Sequence, residues 1–183
     1  MIRIHPLTPE RRPDFFRLHS TDNGWGECFC VAWWVDTWKD WGERTAEQNR
    51  ALREELFARG QDDGYLAYDD DGPVGWCQVG PRDRLAKLTK QYGLEPDPSA
   101  YAMTCFFVAP RARGTGVARA LLDAAIDDLR ARGIERLEAF PRKGDSSDPL
   151  EVWTGPRALF ERAGFVLERE EPRPIYVIRL RAG

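Results

Sequence analysis

The sequence predicts an α/β fold: a mixed, mostly antiparallel sheet with a parallel strand pair at its centre and helices on both faces. Three observations lead there. The apolar run Ala102–Ala109, which holds Phe106, Phe107 and Val108, reads as a well-buried strand. A glycine-bearing turn then opens an amphipathic helix over Gly116–Arg132, and Ile134–Phe140 follows as a second strand, so a parallel crossover joins the two. Gly64–Asp69 and Val74–Val79 flank the turn residues Asp69–Gly72 and Pro73 and read as an antiparallel hairpin.

The remaining elements follow in chain order. Met1–Pro6 is a short strand with Ile2 and Ile4 on one face, and Pro13–His19 suits one or two helical turns. Residues 24–60 form a Trp-rich helical region. Five of the chain's 7 tryptophans, Trp25, Trp33, Trp34, Trp38 and Trp41, fall within Gly24–Trp41. Trp34, Trp38 and Trp41 have helical spacing, which reads as a helix packing an aromatic face on the sheet, as the wall of an acceptor pocket, or as both. Thr45-Ala46-Glu47-Gln48 resembles a capping box and opens a helix through Arg59, with Leu52 and Leu56 inward and Gly60 as its stop. Gly80–Ser99 is polar and carries a short helix at Leu85–Lys90. After the polar loop Pro141–Glu151, a short helix begins near Thr154, Gly155 and Pro156 and ends at Gly164. Phe165–Glu170 and Ile175–Arg181 close the sheet.

Length and composition bound the class. The chain has 183 residues, 42% hydrophobic and 31% charged, as expected of one globular domain spanning residues 1–183. A net charge of -3 gives no global attraction to nucleic acid or anionic membrane. Neither a long apolar span nor a leader-like N-terminus is visible, so a cytoplasmic protein with reduced thiols is expected. Cys28, Cys30, Cys77 and Cys105 lack the two-to-four-residue spacing of structural zinc sites and read as small buried hydrophobes; no metal is expected.

The segment that carries chemistry is Val108-Ala109-Pro110-Arg111-Ala112-Arg113-Gly114-Thr115-Gly116-Val117-Ala118. It leaves a buried strand and enters a helix whose first N–H groups lack partners, which makes an anion site. Gly114, Gly116 and Ala118 let a pyrophosphate approach the backbone, and Arg111, Arg113 and Arg119 add positive potential. A Walker loop would need Gly-Lys-Ser or Gly-Lys-Thr, and a dinucleotide fingerprint would need glycine where Arg119 stands.

The match is instead to Arg-x-x-Gly-x-Gly/Ala, with Val108 and Pro110 upstream and Leu159-Phe160-Glu161-Arg162-Ala163-Gly164-Phe165 as a closing segment. Together these residues, and the element order from Met1 to Arg181, resemble the GCN5-related N-acetyltransferase (GNAT) family. The resemblance implies that acetyl-CoA is the co-substrate. Its pyrophosphate would be held by Arg113, Gly114, Thr115, Gly116, Val117, Ala118 and Arg119, and its pantetheine arm by the backbone of Phe106, Phe107 and Val108. It further implies direct attack of a neutral amine on the thioester, with a strand N–H polarising the carbonyl. Many relatives place a proton-donating tyrosine where this chain has Phe160, which leaves protonation of the thiolate by water or another group, an unassisted thiolate, or a CoA-binding protein without turnover.

Glu138 is the expected base, because its strand borders the cleft in relatives. The other reading is a surface carboxylate or a salt bridge to Arg136 or Arg142. Trp33 and Trp34 are the expected acceptor contacts, and Asp145, Asp148 and Glu151 could attract a cationic acceptor or belong to an ordinary polar loop. Cys105 reads as a spectator, and His5 and His19 as ordinary. A small-molecule or peptide amine is the expected partner. Paired subunits are common in the family, so a homodimer is a further expectation, although no interface is legible.

Overall fold

A computed structural model of the chain describes residues 1–20, 27–144, 146, 148 and 151–180. Seven strands form one sheet in the order β1-β2-β3-β4-β5-β7-β6. They are β1 Arg3–Pro6, β2 Tyr65–Asp69, β3 Gly72–Pro81, β4 Ala100–Val108, β5 Arg136–Ala139, β6 Val166–Arg169 and β7 Ile175–Arg179. Only β4 and β5 run parallel; the other neighbouring pairs are antiparallel. The crossover between them is α5, Val117–Ala131.

Period-2 alternation sends each strand's residues to two faces. On one face Ala67, Cys77, Val79 and Met103 meet Val117, Leu121, Leu122 and Ala125 of α5, together with Leu159 and Phe160 of α6, Arg157–Arg162. On the other face Leu66, Trp76, Cys105 and Phe107 meet Phe15 and Leu18 of α1, Arg12–His19, and Phe57 of α3, Ala46–Ala58. Further along that face, Leu88 and Tyr92 of α4, Ala86–Tyr92, cover Ala102, Phe140 and Val177. The mixed sheet, its central parallel pair and its helix-covered faces thus stand as the sequence predicts.

The capping box is present: Thr45 Oγ1 accepts from Gln48 N–H at 3.3 Å, and Gln48 Oε1 accepts from Thr45 N–H at 2.9 Å. The tryptophan segment differs from its expected single helix. Ala32–Trp34 is one 3-10 turn, Val35 is extended, and α2 covers only Trp38–Gly42. Thr37 causes the break, because its side chain caps Asp40 N–H at 3.1 Å and starts a new helix there. Trp25 lies outside the described residues. The last helix is capped by Pro156 rather than by Thr154 or Gly155.

Gly75 sets how closely α5 approaches the sheet. A Cβ there would lie 2.6 Å from Val117 Cγ1 and 3.2 Å from Leu121 Cδ1. Val117 is the first residue of α5, so this contact fixes the height of the helix N-terminus over β3 and β4. Gly75→Val should cost about 1–3 kcal/mol by overpacking, read as a lower denaturation midpoint in urea. An unchanged midpoint would show that α5 is not held here.

Candidate active site

Strand β4 outlasts its parallel partner. The β4–β5 register ends at Met103↔Ala139, whereas β3 accompanies β4 as far as Gly75↔Val108. A register shift between Gln78 and Val79 leaves Thr104 as the extra residue of a bulge at the point where the strands part. Beyond it, alternation decides which backbone groups face the gap. Ala109 N–H reaches back to Val74 O at 2.9 Å, so Phe107 and Ala109 face β3, and Phe106 and Val108 face away from it. Phe106 N–H donates to Trp153 O at 2.6 Å, and Val108 O accepts from Arg113 Nε at 3.1 Å. Val108 N–H faces the gap.

A cavity of about 580 Å³ occupies this gap and runs to the start of α5. At that end its wall is Ala112, Arg113, Gly114, Gly116, Val117, Ala118 and Arg119; at the other it is Trp33, Trp38, Trp41 and Trp153. The first intrahelical bond of α5 is Ala120 N–H to Gly116 O at 3.0 Å, so Val117, Ala118 and Arg119 open the helix with unclaimed donors. The first turn holds no acidic residue. Gly114 and Gly116 take φ values of 75° and 87°, and a Cβ on either would meet nothing within 4 Å. The cradle is therefore open, and its backbone is one that glycine adopts without strain. These features fit a diphosphate: converging N–H donors, a helix dipole, and Arg113, for which no carboxylate partner is seen among the described residues.

The other arginines are partly spent. Arg111 is clamped by Asp69, away from the cavity wall, and Arg119 Nε shares both oxygens of Asp123 at 2.8 Å. Arg162 adds a second cation to the cavity wall. Among the described lining residues there is no carboxylate and no tyrosine.

The expected site residues divide accordingly. Phe106, Phe107, Val108, Arg113, Gly114, Gly116, Val117, Ala118, Arg119 and Trp33 all line the cavity. Thr115 does not; its hydroxyl donates to Ala112 O at 2.7 Å and braces the turn. Trp34 does not either; its indole donates to Gln61 Oε1 at 3.2 Å. Trp38 and Trp153 take its place, with ring centroids 5.2 and 5.7 Å from Trp33. Glu138, the expected base, is absent from the wall. It is fully buried on β5, and its Oε1 accepts from Arg82 Nη1 at 2.9 Å and Arg136 Nε at 2.6 Å. That carboxylate ties β5 to the turn after β3, and it cannot reach an acceptor in the gap without breaking a buried ion cluster. Phe160 is fully buried against Phe106 and Phe165, and its ring fills the place where a Cβ on Gly155 would sit. Asp145 lies outside the described residues, and Glu151 is held by Arg142 and Ser146.

His19 is the residue that sequence reasoning missed. It is only 2% exposed, yet it lines the cavity between the rings of Phe15, Phe29 and Phe107. Its Nδ1 lies 2.9 Å from Phe15 O, so Nδ1 carries the hydrogen and Nε2 is an acceptor with no partner among the described residues. Burial pushes its pKa down to about 3, which keeps the ring neutral. No local sequence signal marks it, because strands remote in sequence build the cavity around it.

Comparison with known proteins agrees with this geometry. The profile of the acetyltransferase (GNAT) family matches residues 28–165. The chain belongs to that family. It is 30% identical over 139 residues to mycothiol acetyltransferase from Beutenbergia cavernae, covering 69% of this chain but only 44% of that protein. A GNAT-family protein from Desulfovibrio desulfuricans superposes with a TM-score of 0.60 at 20% identity, over 98% of this chain and 99% of that one. A GNAT-family N-acetyltransferase from Escherichia coli in complex with CoA gives 0.57 at 20% identity, over 98% and 81%. These two share the fold. No helix among the described residues is long and apolar enough to cross a membrane.

The neutral His19 makes a prediction about acid. Its pKa is near 3 folded and about 6.5 unfolded. Between those values the unfolded chain binds the extra proton, so this group's contribution is complete above 6.5 and falls as pH drops toward 3, at up to about 1.4 kcal/mol per pH unit. His19→Phe, which keeps a ring in the aromatic cluster, should show a shallower loss of stability from pH 6.5 to 4 in urea titrations. Parallel losses would place the imidazole in water.

Proposed function

We propose that the protein transfers an acetyl group from acetyl-CoA to a primary amine by direct attack. The observation that carries this reading is the continuity of one cavity from the parted edge of β4 to the open N-terminus of α5. When bound, acetyl-CoA supplies an activated acyl carbon on a thioester. The chain's own groups do the rest. N–H groups at Gly114–Arg119, with Arg113 and Arg162, bind the diphosphate. Val108 N–H is the strand donor placed to polarise the acyl oxygen, since Phe106 N–H is already engaged by Trp153 O. Trp33, Trp38 and Trp153 hold the acceptor through apolar and cation–π contact, and the bare Nε2 of His19 accepts an amine N–H and orients the lone pair. A histidine that stays neutral in this way positions the amine and does not carry its proton.

The lack of any lining carboxylate or tyrosine favours one further reading, a CoA-binding sensor without turnover. Acceptor-dependent thiol release above background eliminates it. The resemblance to a mycothiol acetyltransferase puts that relative's acceptor chemistry first in the screen.

Calorimetric titration with acetyl-CoA tests the site, with adenosine diphosphate and NAD as controls. The double variant Arg113→Glu with Gly116→Trp should weaken acetyl-CoA by at least about tenfold, equivalent to about 1.4 kcal/mol. Unchanged affinity in folded protein would reduce the loop to a plain turn.

A further inference from the structure

At the tryptophan end of the cavity the wall offers ring surface and few hydrogen bonds. Trp33 meets Trp38 with ring planes 71° apart and Trp153 at 38°, so the three rings form a corner rather than a stack. Trp33 Nε1 donates to Thr104 O at 3.4 Å, and Trp38 Nε1 donates to Gln91 Oε1 at 2.5 Å. Both indole donors are therefore spent on the protein. The neighbouring sulfurs are partnered as well: the Cys30 thiol donates to Gln78 Oε1 at 3.5 Å, and Cys28 Sγ accepts from Cys30 N–H at 3.2 Å. A guest rich in hydroxyl or amide groups would leave them unpaired here. An aromatic guest can stack on one ring of the corner and meet the edge of another.

Two cations lie behind this wall. Lys87 of α4 is only 7% exposed, and its Nζ has no hydrogen-bond partner among the described residues. It does not line the cavity. It sits over two residues that do, 3.8 Å from the ring centroid of Trp38 and 6.0 Å from that of Trp33. Asp36 and Asp40 are the carboxylates whose field reaches it, but both are exposed and neither forms an ion pair with it. Burial lowers its pKa to about 8, which keeps it mostly charged at pH 7. Arg53 of α3 is fully buried; its Nε donates to Phe29 O at 3.0 Å and its Nη2 to Cys30 O at 2.5 Å. No carboxylate pairs with it among the described residues. Arg113 and Arg162 hold the opposite end, and the described wall carries no carboxylate. Buried charges act with little solvent screening. A guest with one amine can shed its proton to water, but a guest with a second ammonium must carry it into a field set by cations at both ends.

We propose that the acceptor is a monoamine with an aromatic, uncharged body, and that Lys87, behind Trp38, determines this specificity by turning away a second cation. The inference deepens the proposed acetyl transfer and rests on its placing of the acceptor at the tryptophan end. The aromatic body fills the corner of Trp33, Trp38 and Trp153. Its amine meets His19 Nε2, the acceptor left open on the cavity wall. Polyamines and aminoglycosides bring several ammonium groups, and the latter many hydroxyls, so both are rejected by the same wall.

Calorimetric titration of the full chain at pH 7, with CoA present, tests this without any acyl transfer. Phenethylamine should bind at least about tenfold more tightly than phenethylamine carrying a para-aminomethyl group, and than spermidine. Lys87→Met keeps the apolar stem and removes the charge, so it should narrow that ratio by at least about threefold, and Lys87→Arg should restore it. Equal weakening of all three ligands in Lys87→Met would overturn the part given to Lys87, since a loosened α4 would do as much. Equal or tighter binding of either polycation by the unmodified chain would overturn the proposal without recourse to a variant. So would a failure of phenethylamine to bind, or its displacement when CoA is added. Phenethylamine that binds beside CoA but releases no thiol from acetyl-CoA would overturn acetyl transfer and leave the specificity of the pocket standing.

Discussion

The site depends on one constraint: β4 and β5 stop pairing after four residues while β4 stays fastened to β3. The register reaches Met103↔Ala139, and two residues later Pro141 has no N–H to extend the ladder. On its other edge β4 remains paired through Val108, because β3 is ten residues long and continues beside it. A strand supported on one side and bare on the other keeps its shape while exposing backbone donors. The parting opens the cavity, frees Val108 N–H, and leaves Trp153 O a place to reach Phe106. The crossover helix must begin near the end of β4, so its N-terminal donors face the same gap. Gly75 then lets that helix sit low enough for the two donor sets to share one wall.

The electrostatics of this cavity account for the absence of an obvious base. Arg113, Arg162 and the dipole of α5 make one end positive, and no carboxylate among the described lining residues offsets them. Cations without a lining carboxylate among the described residues disfavour an ammonium and favour the neutral amine, which is the nucleophilic form. Lys87 shows that burial against these tryptophans presses the same way. Its Nζ lies 3.8 Å from the Trp38 ring centroid, and burial pushes its pKa down to about 8 even though Asp36 and Asp40 pull the other way. An acceptor amine lodged against the same tryptophans would lose its proton to water at modest cost. In the proposed transfer, catalysis would then rest on position and polarisation, the roles proposed for His19 Nε2 and Val108 N–H.

How much of this was legible in the sequence follows from the range of the interactions involved. The anion cradle was readable because it is local: glycines at two fixed offsets, a buried strand before them and an amphipathic helix after. The parallel pair was readable because a buried strand, an amphipathic helix and a second strand follow one another directly, and the β2–β3 hairpin because its turn residues are local. For Glu138 the sequence offered a base or a salt bridge, and alternation could not choose, because it gives a strand two faces and does not say which neighbours fill them. Arg136, a partner legible in the sequence, lies 2.6 Å from it, whereas the second partner, Arg82, is 56 positions away and had no local signal. The three tryptophans at helical spacing misled for a different reason: spacing was weighed and the Thr37 cap between them was not. His19 and Arg53 had no local signature at all, since each acquires its role only when strands β3 and β4 close over it.

Arg53 also explains why the acceptor wall is irregular. Segment Cys28–Val35 has no strand partner and only one 3-10 turn, so its carbonyls have no ladder to enter. A buried carbonyl without a donor is costly, and the guanidinium supplies donors to two of them, Phe29 O and Cys30 O. A lysine could not span both with fixed geometry, because it lacks the planar fork. The left-handed turn at Phe29 and Cys30 and the buried guanidinium are thus one arrangement: the fork satisfies carbonyls that a wall without regular structure leaves bare.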